Sequence, residues 1–182
     1  MDAAVEFLRK KGAAVAQKRS DRAAKEGMIV TSVSDDGKTG VIVEVNSETD
    51  FVGRSDDFAG FAQTVGRTLQ ERRSGTMDEL LAAETDGGKT VSSLMNDLLA
   101  KVGEKIDIRR FEVVESDGGL VSSYTHLGSK IGVLVELVGV DASETGSSVG
   151  RDIAMQIAAM NPQVIARDQI EQKQIDQELD IY

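Results

Sequence analysis

The sequence predicts an α+β fold: two related subdomains of small antiparallel sheets flanked by helices, preceded by a helical linker. Three observations carry this. Short aliphatic runs alternate around turn residues, longer runs carry apolar residues at three- and four-residue spacing, and the chain repeats itself at a fixed offset. The expected divisions are residues 1–26 for the end of a helical domain and its linker, 27–115 for the first subdomain of the core, and 116–182 for the second with a C-terminal helix.

The opening "MDAAVEFLRKKGAAVAQKRSDRAAKEG" reads as a helix, a break at Gly12, and a second helix stopped by Gly27. Its first stripe, Val5 and Leu8, is too short to bury itself, so the chain is expected to begin within a larger domain. "MIVTSV" and "GVIVEV" then flank "SDDGKT", where Asp36-Gly37 signals a hairpin. Phe58, Phe61, Val65 and Leu69 mark a helix opened by the capping run Ser55-Asp56-Asp57. Val91, Leu94, Met95, Leu98, Leu99 and Val102 mark another, and "KIDIRRFEVVE" alternates as a strand.

From Gly119 onward the pattern returns. "GLVSSYTHLGSKIGVLVELV" lies on "GMIVTSVSDDGKTGVIVEVN" at an offset of 92 residues without gaps. Gly27/Gly119, Lys38/Lys130, Gly40/Gly132, Val41/Val133, Val43/Val135 and Glu44/Glu136 are identical. The same offset places Phe61 on Ile153 and Val65 on Ile157, so hairpin and helix read as one duplicated unit. A hairpin with one helix leaves a sheet face wet, so the two units are expected to pack together. Pro162, the only proline, ends the second unit's helix because it disfavours helical geometry at Asn161. "RDQIEQKQIDQELDIY" is helical but weakly apolar and stops as though a packing partner were missing.

Composition narrows the function. Hydrophobic residues form 40% and charged residues 29%, the balance of a soluble globular chain, and no apolar run is long enough to cross a bilayer. No membrane partner is therefore expected. Without cysteine, disulfides and thiolate chemistry are excluded, which fits a reducing compartment; a cytoplasmic location is expected, or an organelle matrix or stroma if the chain is organellar. Residues 1–26 carry a net charge of +3 and the rest −13. An acidic body argues against direct nucleic-acid binding, since phosphate contacts need clustered Lys and Arg. The basic clusters "LRKKG" and "QKRSDR" read as a solvated helix face or as a phosphate site.

Catalytic constellations are absent: no Gly-rich phosphate loop, no nucleophile elbow, and a single histidine, His126, beside a strand. No acid/base pair or nucleophile can be named, so the chain is not expected to be an enzyme, and neither cofactor nor metal is expected. One calcium-loop lookalike, Asn46-x-Glu48-x-Asp50 with Asp57 at position 12, fails because Phe51 stands where that loop needs glycine. Phe51 itself leaves two readings open. It and Val52 could fold back as a staple on Phe58, or Phe51 could be an aromatic wedge offered to a partner protein. His126 likewise reads as a turn residue or a contact.

At this point the residues resemble a known family. "EVNSETDFVGRSDDF" is similar to the signature of bacterial and organellar elongation factor Ts, a strand ending Glu-Val-Asn followed by Thr-Asp-Phe-Val. "DAAVEFLRKKGAAVAQKRSDRAAKEG", "AKVGEKIDIRR", "SSYTHLGSKIGVLVEL" and "DIAMQIAAMNPQVI" resemble further segments of that family in the same order. The resemblance implies a guanine-nucleotide exchange factor of translation elongation and protein biosynthesis, with the GTPase elongation factor Tu as partner in its GDP-bound and nucleotide-free states. It assigns the partner contact to Thr49, Asp50, Phe51 and Val52, with the Phe pushed between side chains of the GTPase so that its magnesium and phosphate site is disturbed. Val102 and Gly103 match a second contact and His126 a third; Val102 stands where the family can have Ile. The second subdomain is expected to grip the GTPase's third domain, through residues the resemblance does not identify, and a homodimer or 2:2 complex is compatible with the family. The N-terminal helical domain and the C-terminal helical module of the family are expected to be incomplete here. The competing expectation is a duplicated assembly module of a multi-subunit complex with no exchange activity.

Overall fold

Residues 22–181 are described by a computed structural model; the first 21 residues lie outside the described ones, and the second helix expected to run to Gly27 does not extend over residues 22–26, which are irregular until Glu26 pairs into β1. β1 (Glu26–Val33) and β2 (Thr39–Ser47) form the first hairpin, and β3 (Ile106–Glu115) adds antiparallel to the far edge of β2. β4 (Gly119–Thr125) and β5 (Gly132–Val138) form a separate two-stranded sheet. The helices are α1 (Asp50–Gly53), α2 (Asp56–Arg72), α3 (Met77–Ala82), α4 (Val91–Val102), α5 (Glu144–Met160) and α6 (Gln172–Ile181), with a 3-10 turn at Arg167–Gln169.

Period-two alternation decides which side of each strand faces what. Val41, Val43 and Val45 of β2 point one way and are fully buried beneath Phe58, Phe61, Val65 and Leu69 of α2. Ile42 and Glu44 point the other way, toward the second hairpin. Ser55, Thr76, Thr90 and Ser143 cap α2, α3, α4 and α5 with their side-chain oxygens, each accepting from a backbone N–H three residues on. Asn161, in left-handed geometry at φ 45°, closes α5 just before Pro162, as the sequence predicts. Between Glu44 and Val45 the register slips by a residue, so Arg109 and Arg110 both reach Glu44. Burial pushes the Glu44 carboxyl up, but hydrogen bonds from Asn46 and Arg110 outweigh it and hold that carboxyl below its ordinary value.

The duplication appears as reciprocity between the hairpins. Val33 pairs with Gly40 in one, and Thr125 with Gly132 in the other, which is the same register shifted by 92. Both six-residue turns close alike: Ser34 N–H donates to Thr39 O at 2.8 Å, and His126 N–H to Ile131 O at 2.9 Å. Across the interface, Ile29 N–H donates to Ser129 O at 2.7 Å and Val121 N–H to Gly37 O at 2.8 Å, a pair related by the offset in both members. Lys38 Nζ donates to Gly119 O at 2.5 Å, while Lys130 Nζ pairs with Glu26 at 2.8 Å at the mouth of the other hairpin. The sheets therefore meet face to face about a pseudo-two-fold axis, with α2 outside one and α5 outside the other.

That closeness explains the shared glycines. A Cβ at Gly40 would lie 2.5 Å from Val121 Cγ1 and 2.7 Å from Leu134 Cδ1; one at Gly132 would lie 2.5 Å from Ile29 Cγ2. These neighbours are mostly β-branched and packed, so they yield only by moving the sheets apart. Gly132→Ala is expected to cost about 1–3 kcal/mol, read as a lowered melting temperature. Gly60→Ala, in α2 with nothing within 4 Å of the new methyl, is expected to stabilise by about 0.5–1 kcal/mol.

The two units differ in cover. Phe61 is buried, whereas its repeat partner Ile153 is 37% exposed, because nothing equivalent to α4 overlies α5 among the described residues. α6 buries no residue of its own.

Candidate functional site

β2 runs out at Ser47 and the chain turns sharply into α1. A helix of four residues cannot hold itself, since each end leaves backbone groups unpaired and one turn fixes many dihedrals for little return. α1 is held from outside. Thr49 caps it, with Oγ1 accepting from Val52 N–H at 3.4 Å. Ser47 Oγ donates to Thr49 O at 2.8 Å, and Ser55 Oγ donates to Val52 O at 2.8 Å as it starts α2. Beneath the turn Gly53 lies close to Gly27: a Cβ there would sit 3.3 Å from the Gly27 backbone.

Successive helical residues point about 100° apart, so Phe51 and Val52 cannot both face the core. Val52 is inserted, 6% exposed, in the cluster with Phe58 and Val45, while Phe51 is 84% exposed. The staple reading therefore holds for Val52 and fails for Phe51. Phe51 also stands on a helical turn rather than at the tip of a loop. Asp50 is exposed beside it and pairs with Arg54 at 3.3 Å. At offset 92 Phe51 corresponds to Ser143, the cap of α5, so the second unit runs as one helix through the span that α1 and α2 divide.

The other sequence-selected residues come to the same end of the molecule. α4 ends at Val102, and Gly103 closes it in left-handed geometry at φ 71°, its N–H donating to Leu99 O at 2.8 Å. The next residue, Glu104, accepts from Thr49 N–H at 3.0 Å and from Thr49 Oγ1 at 2.7 Å. Lys105 N–H donates to Glu48 at 2.7 Å, and Arg22 pairs with Glu48 at 3.0 Å, so the linker is tied to the same turn. His126 is exposed at the β4–β5 turn, with Nδ1 at 2.9 Å from Tyr124 Oη. That turn is joined to β1 through Ser129 and Lys130, and β1 begins under α1. Sequence reasoning missed Glu104, whose partner is 55 residues away, and Leu127, which stands 90% exposed next to His126. Among the described residues no helix is long and apolar enough to cross a membrane, and no group of three His, Asp or Glu side chains could hold a metal ion.

This end presents exposed Phe51 and Leu127, exposed Asp50 and His126, and backbone held by side-chain hydrogen bonds. The family model described as elongation factor TS matches residues 48–182, a span that includes α1. Elongation factor Ts of Clostridium perfringens strain SM101 is 44% identical over 182 residues, covering 100% of this chain and 60% of that protein. The corresponding protein of Chlorobium phaeobacteroides is 42% identical over 185 residues, covering 100% of this chain and 64% of its own length. That of Methylococcus capsulatus is 50% identical over 162 residues, covering 89% of this chain and 53% of its own. The chain thus spans about 60% of the length of the curated relatives it matches. With the family model matching residues 48–182, most of its length, the chain belongs to the elongation factor Ts family.

Proposed function

We propose that the chain is a guanine-nucleotide exchange factor that binds elongation factor Tu and promotes GDP release by disturbing the magnesium and phosphate site. The observation that carries this reading is an aromatic side chain, Phe51, 84% exposed on a turn whose neighbour Val52 is locked in the core. Such a residue gains nothing from folding and has much to gain from a partner's pocket. In this reading Phe51 is the wedge, Thr49 and Val52 are its mount, and Asp50, Val102, Gly103 and His126 are the surrounding contacts. Val52 thus serves by anchoring rather than by touching. The core divides into the subdomains 27–115 and 116–182 in the same proposal, and the chain works where translation takes place.

The mechanism is differential binding. A factor that binds the nucleotide-free GTPase more tightly than the GDP-bound form must lower GDP affinity by the same factor. If Phe51 fits only a pocket opened by displacing the magnesium ligands, its burial energy is available only in the disturbed state. No bond is made or broken by this chain. A few kcal/mol of such selective binding is roughly a hundredfold in release rate when fully expressed in the transition state. Calorimetric titration into nucleotide-free and GDP-loaded elongation factor Tu checks the linkage. The nucleotide-free form is expected to bind about a hundredfold more tightly. Equal affinities would remove the mechanism.

A further inference from the structure

α1 carries Phe51 but cannot fix its own direction. Of the bonds that hold it, Ser47 and Ser55 act from adjoining chain and restrain only the ends. Among the described residues, the hydrogen bonds to α1 or its cap that come from a distant element are those of the Glu104 carboxylate, with both oxygens on Thr49. One takes the backbone N–H, the other the hydroxyl, and that same hydroxyl oxygen accepts from Val52 N–H. The carboxylate therefore sets both the position of the cap and the rotation of its hydroxyl, and through these the first turn on which Phe51 sits. Charge-assisted hydrogen bonds of this paired kind are short and directional. Gly103 makes the arrangement possible: its left-handed turn ends α4 and delivers Glu104 back toward β2. Lys105 N–H on Glu48 fixes the same crossing from the other side.

Building on the exchange reading, we propose that Glu104 is a positioning residue for the Phe51 wedge, joining the α4–β3 turn and α1 into one rigid element. Phe51 presses on its partner, and the reaction force must be carried into the body of the protein. The Glu104–Thr49 pair is the connection that carries it into α4 and β3. Without it, α1 pivots on Val52, and the ring still reaches the partner but at varied angles. The defect then falls on the rate at saturation rather than on encounter.

The test measures GDP release over a range of concentrations of the full chain, for wild type, Glu104→Ala, Glu104→Gln, Phe51→Ala and the double variant Phe51→Ala/Glu104→Ala. Glu104→Ala is expected to lower the maximal rate about tenfold, the order a charged hydrogen bond is worth, with half-saturation changed less than twofold. Glu104→Gln keeps an acceptor for Thr49 N–H and should recover part of the loss. In the Phe51→Ala background, Glu104→Ala should add nothing, since the residue it positions is gone. An unchanged maximal rate, a loss confined to half-saturation, or a full additional loss in the double variant would each overturn the positioning role. An independent arm needs no exchange activity. The chain has no tryptophan, so Phe51→Trp provides a unique probe whose fluorescence anisotropy reports the motion of α1. Adding Glu104→Ala should speed its local depolarisation, and an identical decay would reject the proposal. If wild type fails to release GDP while the probe still loosens, the exchange reading falls and the positioning of α1 stands.

Discussion

Phe51→Ala is expected to lower the rate of GDP release from elongation factor Tu roughly thirtyfold, while the melting temperature stays within about 1 °C of wild type. The first half follows from what an exposed aromatic anchor is worth once a partner pocket desolvates it, about 2 kcal/mol or more, and from tenfold in rate per 1.4 kcal/mol. The second half follows from the structure. At 84% exposure the ring makes almost no contact within the chain, so removing it opens no cavity. The mount survives, because Thr49 still caps α1 and Val52 still fills the core beneath it. A variant that melted several degrees lower would show that Phe51 packs against the body after all.

Phe58→Ala, only seven positions along, is expected to do the reverse. Phe58 is fully buried between α2 and the first sheet, among Val41, Val43, Val45 and Val52. Truncating it removes the transfer energy of the ring and leaves a void that the surrounding valines, stiff at χ1, cannot fill. A loss of about 3–5 kcal/mol follows, or roughly 10 °C in melting temperature for a chain of this size. Exchange by the fraction that remains folded should fall much less than with Phe51→Ala, measured at a temperature where circular dichroism shows native signal. Two phenylalanines in one segment thus separate the two uses of an aromatic side chain. One is consumed by folding; the other is left exposed, free for the partner proposed above.

Much of the fold was legible from period alone. The alternation in "MIVTSV", "GVIVEV" and "IDIRRFEVVE" became β1, β2 and β3, and the 3.6-residue stripes became α2 and α4, the first with the expected cap at Ser55. The offset of 92 proved stronger than six identities suggest, because it holds in hairpin register, turn hydrogen bonds and the paired contacts of Gly40 and Gly132. α3 went unread: six residues with Leu80 as the one buried side chain show no period. The uneven burial of Phe61 and Ile153 was also hidden, since equal sequence spacing says nothing of what lies over a helix.

The site was only half legible. Composition and motif searches found no familiar catalytic constellation, but the direction of Phe51 depended on which of two adjacent apolar residues won the core. That choice is tertiary: Val52 fits the space beside Phe58 and Val45, and one helical step then turns Phe51 outward. Glu104 carried no local signal at all, because an acidic residue after a helix-ending glycine looks like any solvated turn. Its meaning came from a partner 55 residues distant. The pseudo-two-fold arrangement sharpens the asymmetry. Where the first unit breaks its helix at Ser55 to stand Phe51 on a separate turn, the second places Ser143 and continues without a break.

The most direct test of a rigidly mounted Phe51 as an exchange wedge is stopped-flow release of a fluorescent GDP analogue from purified elongation factor Tu. Mixed with micromolar wild-type chain, release is expected to accelerate about a hundredfold over the spontaneous rate, and with Phe51→Ala to fall back most of the way toward it. Release at the spontaneous rate with wild type, or equal acceleration by wild type and Phe51→Ala, would contradict the account.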